Sequence, residues 1–139
     1  MTRKLMCGVD FSPASNQALE VATELAVRLG AEILLVHVMD LASVSESIRI
    51  GLVEAAEAEL ELIGEELRGR GVPEVQVDVT SGPVWNQLID RARQDPDIEH
   101  VILGAHGERG VRRMFMGSVA EHVVRHAPCS VTIVRQRTA

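Results

Sequence analysis

The sequence has few aromatic residues. Tyrosine is absent, and one tryptophan and two phenylalanines bring the aromatic share of the 139 residues to 2%, whereas hydrophobic residues make up 46%. A core built from this chain must therefore be filled by aliphatic side chains, as in parallel strands that helices cover on both faces. At this length we expect one domain, residues 1–139.

Cysteine is also scarce. Cys7 and Cys129 lie in or beside apolar runs, without a CxxC pair or a metal-ligand spacing. This pattern predicts buried thiols in a reducing compartment rather than a disulfide. No signal-peptide core follows the first four residues, and no apolar run has the length of a membrane span. We expect a cytoplasmic protein with no membrane partner.

Positive charge is sparse as well. The net charge is −6 and the single lysine is Lys4, so we expect no nucleic-acid partner, because such binding needs clustered positive charge. The G-x4-G-K-[ST], GxSxG and HExxH motifs are all missing, which argues against rapid phosphoryl transfer, serine hydrolysis and zinc catalysis. His122 and His126 are four residues apart, but no third ligand stands at a suitable spacing, so no metal site is expected.

Five strand patterns alternate with four helix patterns along the chain. The strands are predicted at 5–9, 33–38, 75–79, 101–103 and 131–134, and the helices begin at Ser12-Pro13, near Val53, at Gly82-Pro83 and at Ser118. The serine-rich segment 39–48 is interpreted as a loop of about ten residues. The helical spacing of Trp85 predicts a core position for the lone tryptophan.

This alternation predicts a single-domain α/β fold of the Rossmann-like type. We expect a five-stranded parallel sheet in the order 3-2-1-4-5, with the four helices on both faces. Ligands of such sheets bind at the carboxyl ends of the strands where the strand order reverses, here between strands one and four. Asp10 and Gly104 stand at the ends of these strands, so the topology predicts a site between them.

Three glycines follow strand four and precede a predicted helix. Gly104, Gly107 and Gly117 let backbone N–H groups approach an anion, and the helix that begins beside Gly117 directs free amides to the same place. We therefore predict a phosphate-binding loop. Valine at Gly104 or Gly117 is expected to block this approach while the fold survives. Arg109, in the same loop, adds positive charge suited to a triphosphate.

Two residues of the predicted site each have a second interpretation. Asp10 could accept hydrogen bonds from a ribose or help to hold a nucleotide-bound metal, or it could cap a local turn. Ser118 and Glu121 have the spacing of a capping box, which by itself would explain the serine, yet a hydroxyl at a helix N-terminus also suits a phosphate oxygen. The residues leave both alternatives open.

The chain resembles the universal stress protein family over nearly its whole length. The resemblance rests on the G-x2-G-x9-G-[ST] pattern at 104–118, on Val-Asp-Phe-Ser at 9–12, on Val-His-Val at 36–38, on Gly-Pro at 82–83 and on Ala-Pro-Cys-Ser-Val at 127–131. It implies ATP binding, with Mg²⁺ held through the nucleotide. The nucleotide contacts that it implies are Gly8, Val9, Asp10, Val38, Leu103, Gly104, Gly107, Arg109, Gly117, Ser118 and Val119.

From these observations we expect an ATP-binding stress-response or regulatory factor that hydrolyses ATP slowly at most. The alternatives are an ATP-consuming enzyme on a related fold and a phospho-receiver domain; the latter is disfavoured because Thr80-Ser81 stands where its aspartate should be. The last strand, 130–134, is expected at a sheet edge, where pairing with a second copy would give a homodimer. The sequence does not name a downstream protein partner.

Overall fold

The computed structural model describes residues 3–106 and 116–136 of the chain. Strands and helices alternate along these residues. The elements are β1 (Lys4–Gly8), α1 (Pro13–Leu29), β2 (Glu32–Met39), α2 (Glu46–Gly69), β3 (Val75–Ser81), α3 (Val84–Gln94), β4 (Ile98–Gly104), α4 (Ser118–His126) and β5 (Ser130–Val134).

The five strands form one sheet in the order β3-β2-β1-β4-β5, and all four pairings are parallel. The predicted fold class and strand order are confirmed. The strand order reverses at β1, which has β2 on one side and β4 on the other. The loops that follow β1 and β4 therefore lead to opposite sides, and a crevice opens between them at the carboxyl end of β1.

Two apolar clusters hold the helices against the sheet. One cluster joins β1 and β2 to the inner faces of α1 and α2, through residues such as Ala22 and Leu60. The other joins β1 and β4 to α3 and α4, through residues such as Leu88 and Val123. The helices therefore cover both faces in pairs, as expected for a sheet rich in aliphatic side chains.

Helix α1 begins and ends where its sequence predicts. The Ser12 hydroxyl accepts a hydrogen bond from Ser15 N–H, and Pro13 occupies the first helical position, where no N–H is needed. Gly30 ends the helix in the left-handed conformation at φ +65°, and its N–H donates to Ala26 O. Both ends of the helix thus follow from local chemistry.

The second helix begins earlier than predicted. The segment 39–48 was expected to be a loop of about ten residues, but Met39 completes β2 and α2 begins at Glu46. Exposed Ile48 and Ile50 lie in the first turns of α2, so these turns bury no regular apolar face. The helical periodicity that predicts an element from sequence is therefore missing there.

Both cysteines are free thiols. Cys7 is fully buried in β1, and burial raises the pKa of its thiol to about 12. Cys129 is partly exposed, and desolvation raises the pKa of its thiol as well. The prediction of buried thiols is confirmed for Cys7 and holds only in part for Cys129. Within the described ranges, no helix is both long enough and apolar enough to span a bilayer.

Candidate functional site

A pocket of about 600 Å³ opens at the carboxyl ends of β1, β2 and β4 and reaches the first turn of α4. This volume lies within the range of about 300–1,000 Å³ that is usual for small-molecule sites. Its walls are mainly aliphatic, and polar groups converge at two places. The lining residues are Gly8, Val9, Asp10, Ser15, Val36, Val38, Asp40, Val84, Leu88, Leu103, Gly104, Ala105, His106, Gly117, Ser118, Val119 and Ala120.

The structure brings most of the predicted site residues to this one pocket. Nine of the eleven line it: Gly8, Val9, Asp10, Val38, Leu103, Gly104, Gly117, Ser118 and Val119. Gly107 and Arg109, together with the neighbouring loop arginines, lie outside the described residues. Residues from β1, β2, β4 and α4 thus meet although almost a hundred positions separate Asp10 from Gly104.

Asp10 is fixed by the turn that precedes α1. Its Oδ1 atom accepts hydrogen bonds from the N–H and the hydroxyl of Ser12. Its own N–H donates to the Ser15 hydroxyl at 3.0 Å. The turn-cap interpretation of Asp10 is therefore confirmed. The same hydrogen bonds hold the carboxylate at the edge of the pocket, so the cap is compatible with a contact to a ligand.

The residue after Asp10 has an unusual backbone conformation. Phe11 adopts φ +64°, a left-handed conformation that costs a bulky residue about 1–3 kcal/mol. Its ring lies 4.9 Å from the ring of His37 on β2, and His37 Nδ1 donates to Val9 O at 2.6 Å. These contacts hold the bend that turns the chain from β1 into α1 and carries Asp10 over the pocket.

Helix α4 begins against the end of β4. Gly117 is its N-cap, and Gly117 N–H donates to Ala105 O at 2.7 Å. The predicted capping box is wrong: Ser118 is already the first helical residue and no side chain caps the helix. Glu121 pairs instead with Arg125, whose Nη2 atom lies 3.0 Å from its carboxylate.

Because no side chain caps the start of α4, its first backbone N–H groups remain available at the pocket. The N–H groups of Ser118, Val119 and Ala120 precede the first i to i−4 hydrogen bond of α4, which runs from Glu121 N–H to Gly117 O. All three residues line the pocket. Free amides and the positive end of the helix dipole there suit a bound anion.

The two glycines at the strand ends make room for neighbouring groups. A Cβ atom on Gly104 would lie 2.8 Å from the carbonyl carbon of Ala14 and 2.9 Å from its oxygen, so the bare Cα is needed for α1 to pack on β4. A valine at Gly104 would therefore also disturb the packing of α1 on β4, which argues against the expectation that it leaves the fold intact. A Cβ on Gly8 would meet Leu103 Cδ2 at 2.5 Å.

Several lining residues were not predicted. Asp40 comes directly after β2, just as other predicted site residues come at the carboxyl ends of β1 and β4. The predicted topology could therefore have identified it. Val84 and Leu88 come from the inner face of α3, which the sequence marks as core rather than as a pocket wall. His106 lies in the glycine motif, and its Nε2 atom is buried without a partner among the described residues.

A second cavity of about 490 Å³ adjoins the pocket and shares Asp40 and Val84 with it. It lies between the loops that follow β2 and β3. Arg49 also lines it: Nη2 donates to Leu41 O at 3.4 Å, and Nε, 3.9 Å from the carboxylate of Glu46, is buried without a hydrogen-bond partner among the described residues.

The single lysine lies at the other end of the sheet. Lys4 begins β1, whereas the pocket opens where that strand ends. Its Nζ atom is 2.7 Å from the Asp95 carboxylate, and this hydrogen bond holds the pKa of Asp95 below its usual value and raises that of Lys4. The lysine is therefore committed to a structural ion pair remote from the pocket.

Trp85 is half-buried, and α4 covers it. Its ring stacks on those of His122 and His126, with centroid distances of 4.6 and 5.6 Å. His122 Nδ1 donates to Ser118 O at 2.7 Å. The tryptophan packs against the core and is covered by two imidazoles, so the core prediction holds only in part. In the described part of the chain, no three residues form a candidate metal-binding group.

Comparison with known proteins agrees with this geometry. The model of the universal stress protein family matches residues 1–135. YxiE of Bacillus subtilis, a universal stress protein, is 26% identical over 97% of this chain and 100% of its own. The solved structure of MJ0577 of Methanocaldococcus jannaschii superposes with a TM-score of 0.86 at 25% identity, covering 100% of this chain and 99% of that one.

Two further solved structures have nucleotides bound. One is a universal stress protein in complex with cAMP, 19% identical with a TM-score of 0.76 over 97% of this chain and 98% of that chain. The other is a family protein from Arabidopsis thaliana with AMP bound, 21% identical with a TM-score of 0.69 over 98% and 93% of the two chains. At these identities the likeness establishes a shared fold. The family model, which spans nearly the whole sequence, establishes more: the chain belongs to the universal stress protein family.

Proposed function

We propose that this protein binds ATP in the pocket between β1 and β4 and acts as a nucleotide-dependent stress-response or regulatory factor. The observation that carries the proposal is the meeting of two features at one site. The first is an aliphatic pocket of about 600 Å³, and the second is the first turn of α4 at the end of this pocket, where no side chain caps the backbone N–H groups. A nucleotide has the matching form, since its base is flat and largely apolar and its phosphates are anionic.

The phosphates would lie at the α4 end. The N–H groups of Ser118, Val119 and Ala120 are available there, and Gly117 leaves the backbone accessible. Donors of this kind bind phosphate without a cationic side chain. The Ser118 hydroxyl, which caps nothing in the helix, is free to add a further contact.

The ribose would lie near Asp10. That carboxylate is at the end of β1, between the phosphate end on β4 and the apolar walls supplied by β2 and α3. A carboxylate accepts hydrogen bonds from sugar hydroxyls. The base would then reach the wall formed by Val38, Val84 and Leu88.

The proposal includes Mg²⁺ bound through the nucleotide. Within the described residues there is no group of three potential metal ligands. The protein would therefore supply few ligands, and phosphate oxygens and waters the others, as is usual for magnesium. Asp10 is the carboxylate best placed to reach such an ion directly or through water.

Binding, rather than rapid turnover, is proposed because the described pocket offers few groups for phosphoryl transfer. Such transfer relies on positioned cations and on a residue that orients the nucleophile. Lys4 is engaged with Asp95 at the far end of the sheet. We therefore propose that this protein is not an enzyme in its main role and hydrolyses ATP slowly at most.

The proposal also covers the cellular setting and assembly. We place the protein in the cytoplasm and propose a homodimer through β5, whose described pairing is with β4 on one side. Val131 and Ile133 are partly buried in this strand at the edge of the sheet. A charged residue at either position should give monomers. Analytical ultracentrifugation at micromolar concentration is the test, and a wild-type protein that sediments as a monomer would disprove the dimer.

Calorimetric titration with ATP and Mg²⁺ tests the main proposal. We expect binding by the wild-type protein and its loss in Gly117→Val, whose added side chain would crowd the phosphate end. Thermal unfolding of the variant checks that it is folded. Wild-type affinity in the folded variant would refute the phosphate assignment, and mass analysis of the denatured purified protein would show a co-purified nucleotide directly. A steady-state ATPase assay with candidate acceptors separates a binding protein from an ATP-consuming enzyme.

A further inference from the structure

We propose that the outer side of α2 docks a positively charged amphipathic helix of a partner protein. The docking surface is a row of exposed apolar residues, the α2 stripe, formed by Ile48, Leu52, Ala55 and Leu62. None of the described residues that line the nucleotide pocket belongs to α2. The inference is therefore independent of the proposed nucleotide binding.

Helical geometry places the four residues of the stripe in one row. They are separated by four, three and seven positions, and residues at such spacings lie on the same side of a helix. The row is about 21 Å long, at a rise of about 1.5 Å per residue. A different side of α2 packs on the sheet, through the buried residues Ala56, Leu60, Gly64 and Leu67. The helix thus has two apolar sides, and the described part of the chain covers only one of them.

The large side chains of the stripe are well exposed. Ile48, Leu52 and Leu62 are 58%, 40% and 67% exposed, and Ile50 on the same helix is 51% exposed. These are four of the eight large apolar residues that are exposed within residues 3–106 and 116–136. Exposed apolar residues are ordinary when they are scattered singly, whereas a row along one element indicates an interaction surface.

The charge of α2 indicates which kind of partner fits this surface. The helix contains seven glutamates and two arginines. Both arginines are engaged within the chain, since Arg49 Nη2 donates to Leu41 O and Arg68 Nη2 donates to Val75 O at 2.7 Å. In the described ranges, Glu46 is the only glutamate of α2 with an ion-pair partner within 4 Å. The exposed surface of the helix is therefore strongly acidic.

Two of these glutamates lie in the row itself. Glu59 follows Ala55 by four residues and precedes Leu62 by three, and Glu66 stands four residues beyond Leu62. A helix that places apolar side chains on the stripe and lysine or arginine beside the two carboxylates would complement both the apolar and the charged groups. The partner is therefore expected to be amphipathic and cationic.

The same charges disfavour the other occupants of an exposed apolar row. A second copy of this chain, docked through the stripe, would bring glutamates against glutamates, because a two-fold contact uses the same patch on both subunits. An anionic bilayer would repel the glutamates as well. A cationic helix is the occupant for which neither penalty arises.

The probe for the test is a peptide of about 18 residues, long enough to cover the stripe, that contains only leucine at three- and four-residue spacings and lysine elsewhere. A second peptide has glutamate in place of every lysine. Fluorescence anisotropy measures their binding to the wild-type protein, to the double variant Leu52→Gln and Leu62→Gln, and to the control Val124→Gln. Val124 is 46% exposed on α4, outside the stripe. Because glutamine and leucine have similar helix propensities, the double variant should stay folded, which thermal unfolding checks.

We expect the lysine peptide to bind the wild-type protein and the control with equal affinity, and the double variant about tenfold more weakly, because two leucines lose their apolar contacts. The glutamate peptide should not bind. Glu59→Gln removes only a surface charge and provides a second test, with affinity for the lysine peptide expected to fall about twofold to threefold.

The inference is overturned if the lysine peptide does not bind the wild-type protein, or if it binds the double variant equally well. Equal binding of the two peptides, or unchanged affinity in Glu59→Gln, overturns the charge assignment and with it the choice of partner. Two further controls address the other occupants. Binding to anionic lipid vesicles that is lost in the double variant would assign the stripe to a membrane, and a wild-type dimer that is lost in the double variant would assign it to a second copy; either result overturns the inference.

Discussion

Replacing Gly104 by alanine should destabilise the protein, and the structure supplies the magnitude. The new methyl group would lie 2.8 Å from the carbonyl carbon of Ala14, 2.9 Å from its oxygen and 3.0 Å from its Cβ atom. These are mainly backbone atoms of α1, so no side-chain rotation relieves the contact, and the helix must move away from β4.

Forcing one extra methyl group into such a packed contact costs about 1–3 kcal/mol. The lower flexibility of alanine in the unfolded chain offsets about 0.4–1 kcal/mol of this. We therefore expect a net loss of about 1–2 kcal/mol in the free energy of unfolding. For a chain of this length the melting temperature should fall by about 3–7 °C.

Gly51→Ala provides the matched control, since it also replaces a glycine by alanine but is expected to change the stability in the opposite direction. Gly51 lies inside α2, and nothing approaches the position of its missing Cβ within 4 Å. Alanine there should stabilise the protein by about 0.5–1 kcal/mol through its higher helix propensity. Urea unfolding of both variants measures the two effects, and a Gly104→Ala protein as stable as the wild type would refute the packing argument.

Three further predictions concern single side chains. Ser118→Ala should change the unfolding free energy by less than about 0.5 kcal/mol, because Ser118 caps no helix, while lowering ATP affinity if the hydroxyl contacts phosphate; calorimetry and urea unfolding separate the two. At pH 8 a thiol reagent should label Cys129 far faster than Cys7, whose pKa is about 12, and mass spectrometry of the native protein would contradict this if both reacted together. Lys4→Met should lower the free energy of unfolding by about 1 kcal/mol at pH 7. Because the ion pair lowers the pKa of Asp95 in the folded state, this difference in stability between variant and wild type should shrink as the pH falls below about 4, and a difference that stays constant in acid unfolding experiments would refute the prediction.

Local chemistry made much of the fold predictable. Ser12-Pro13 and Gly30 delimit α1 because a cap, a missing N–H and a left-handed glycine each act within a few residues. Alternation of aliphatic strands with amphipathic helices then favoured a parallel sheet, and the switch-point rule brought Asp10 and Gly104 to one edge. The same reasoning failed at the start of α2, whose first turns bury no regular apolar face.

The sequence by itself determined the order of elements, the aliphatic composition of the core and the glycine motif, because these depend on periodicity and on spacing along the chain. Tertiary structure alone decided that Ala14 packs against Gly104, that Gly117 rather than Ser118 caps α4, and that Val84 and Leu88 of α3 form a wall of the pocket. The physical reason is that these properties depend on the distance between atoms of different elements. Such distances are fixed only when the helices settle on the sheet.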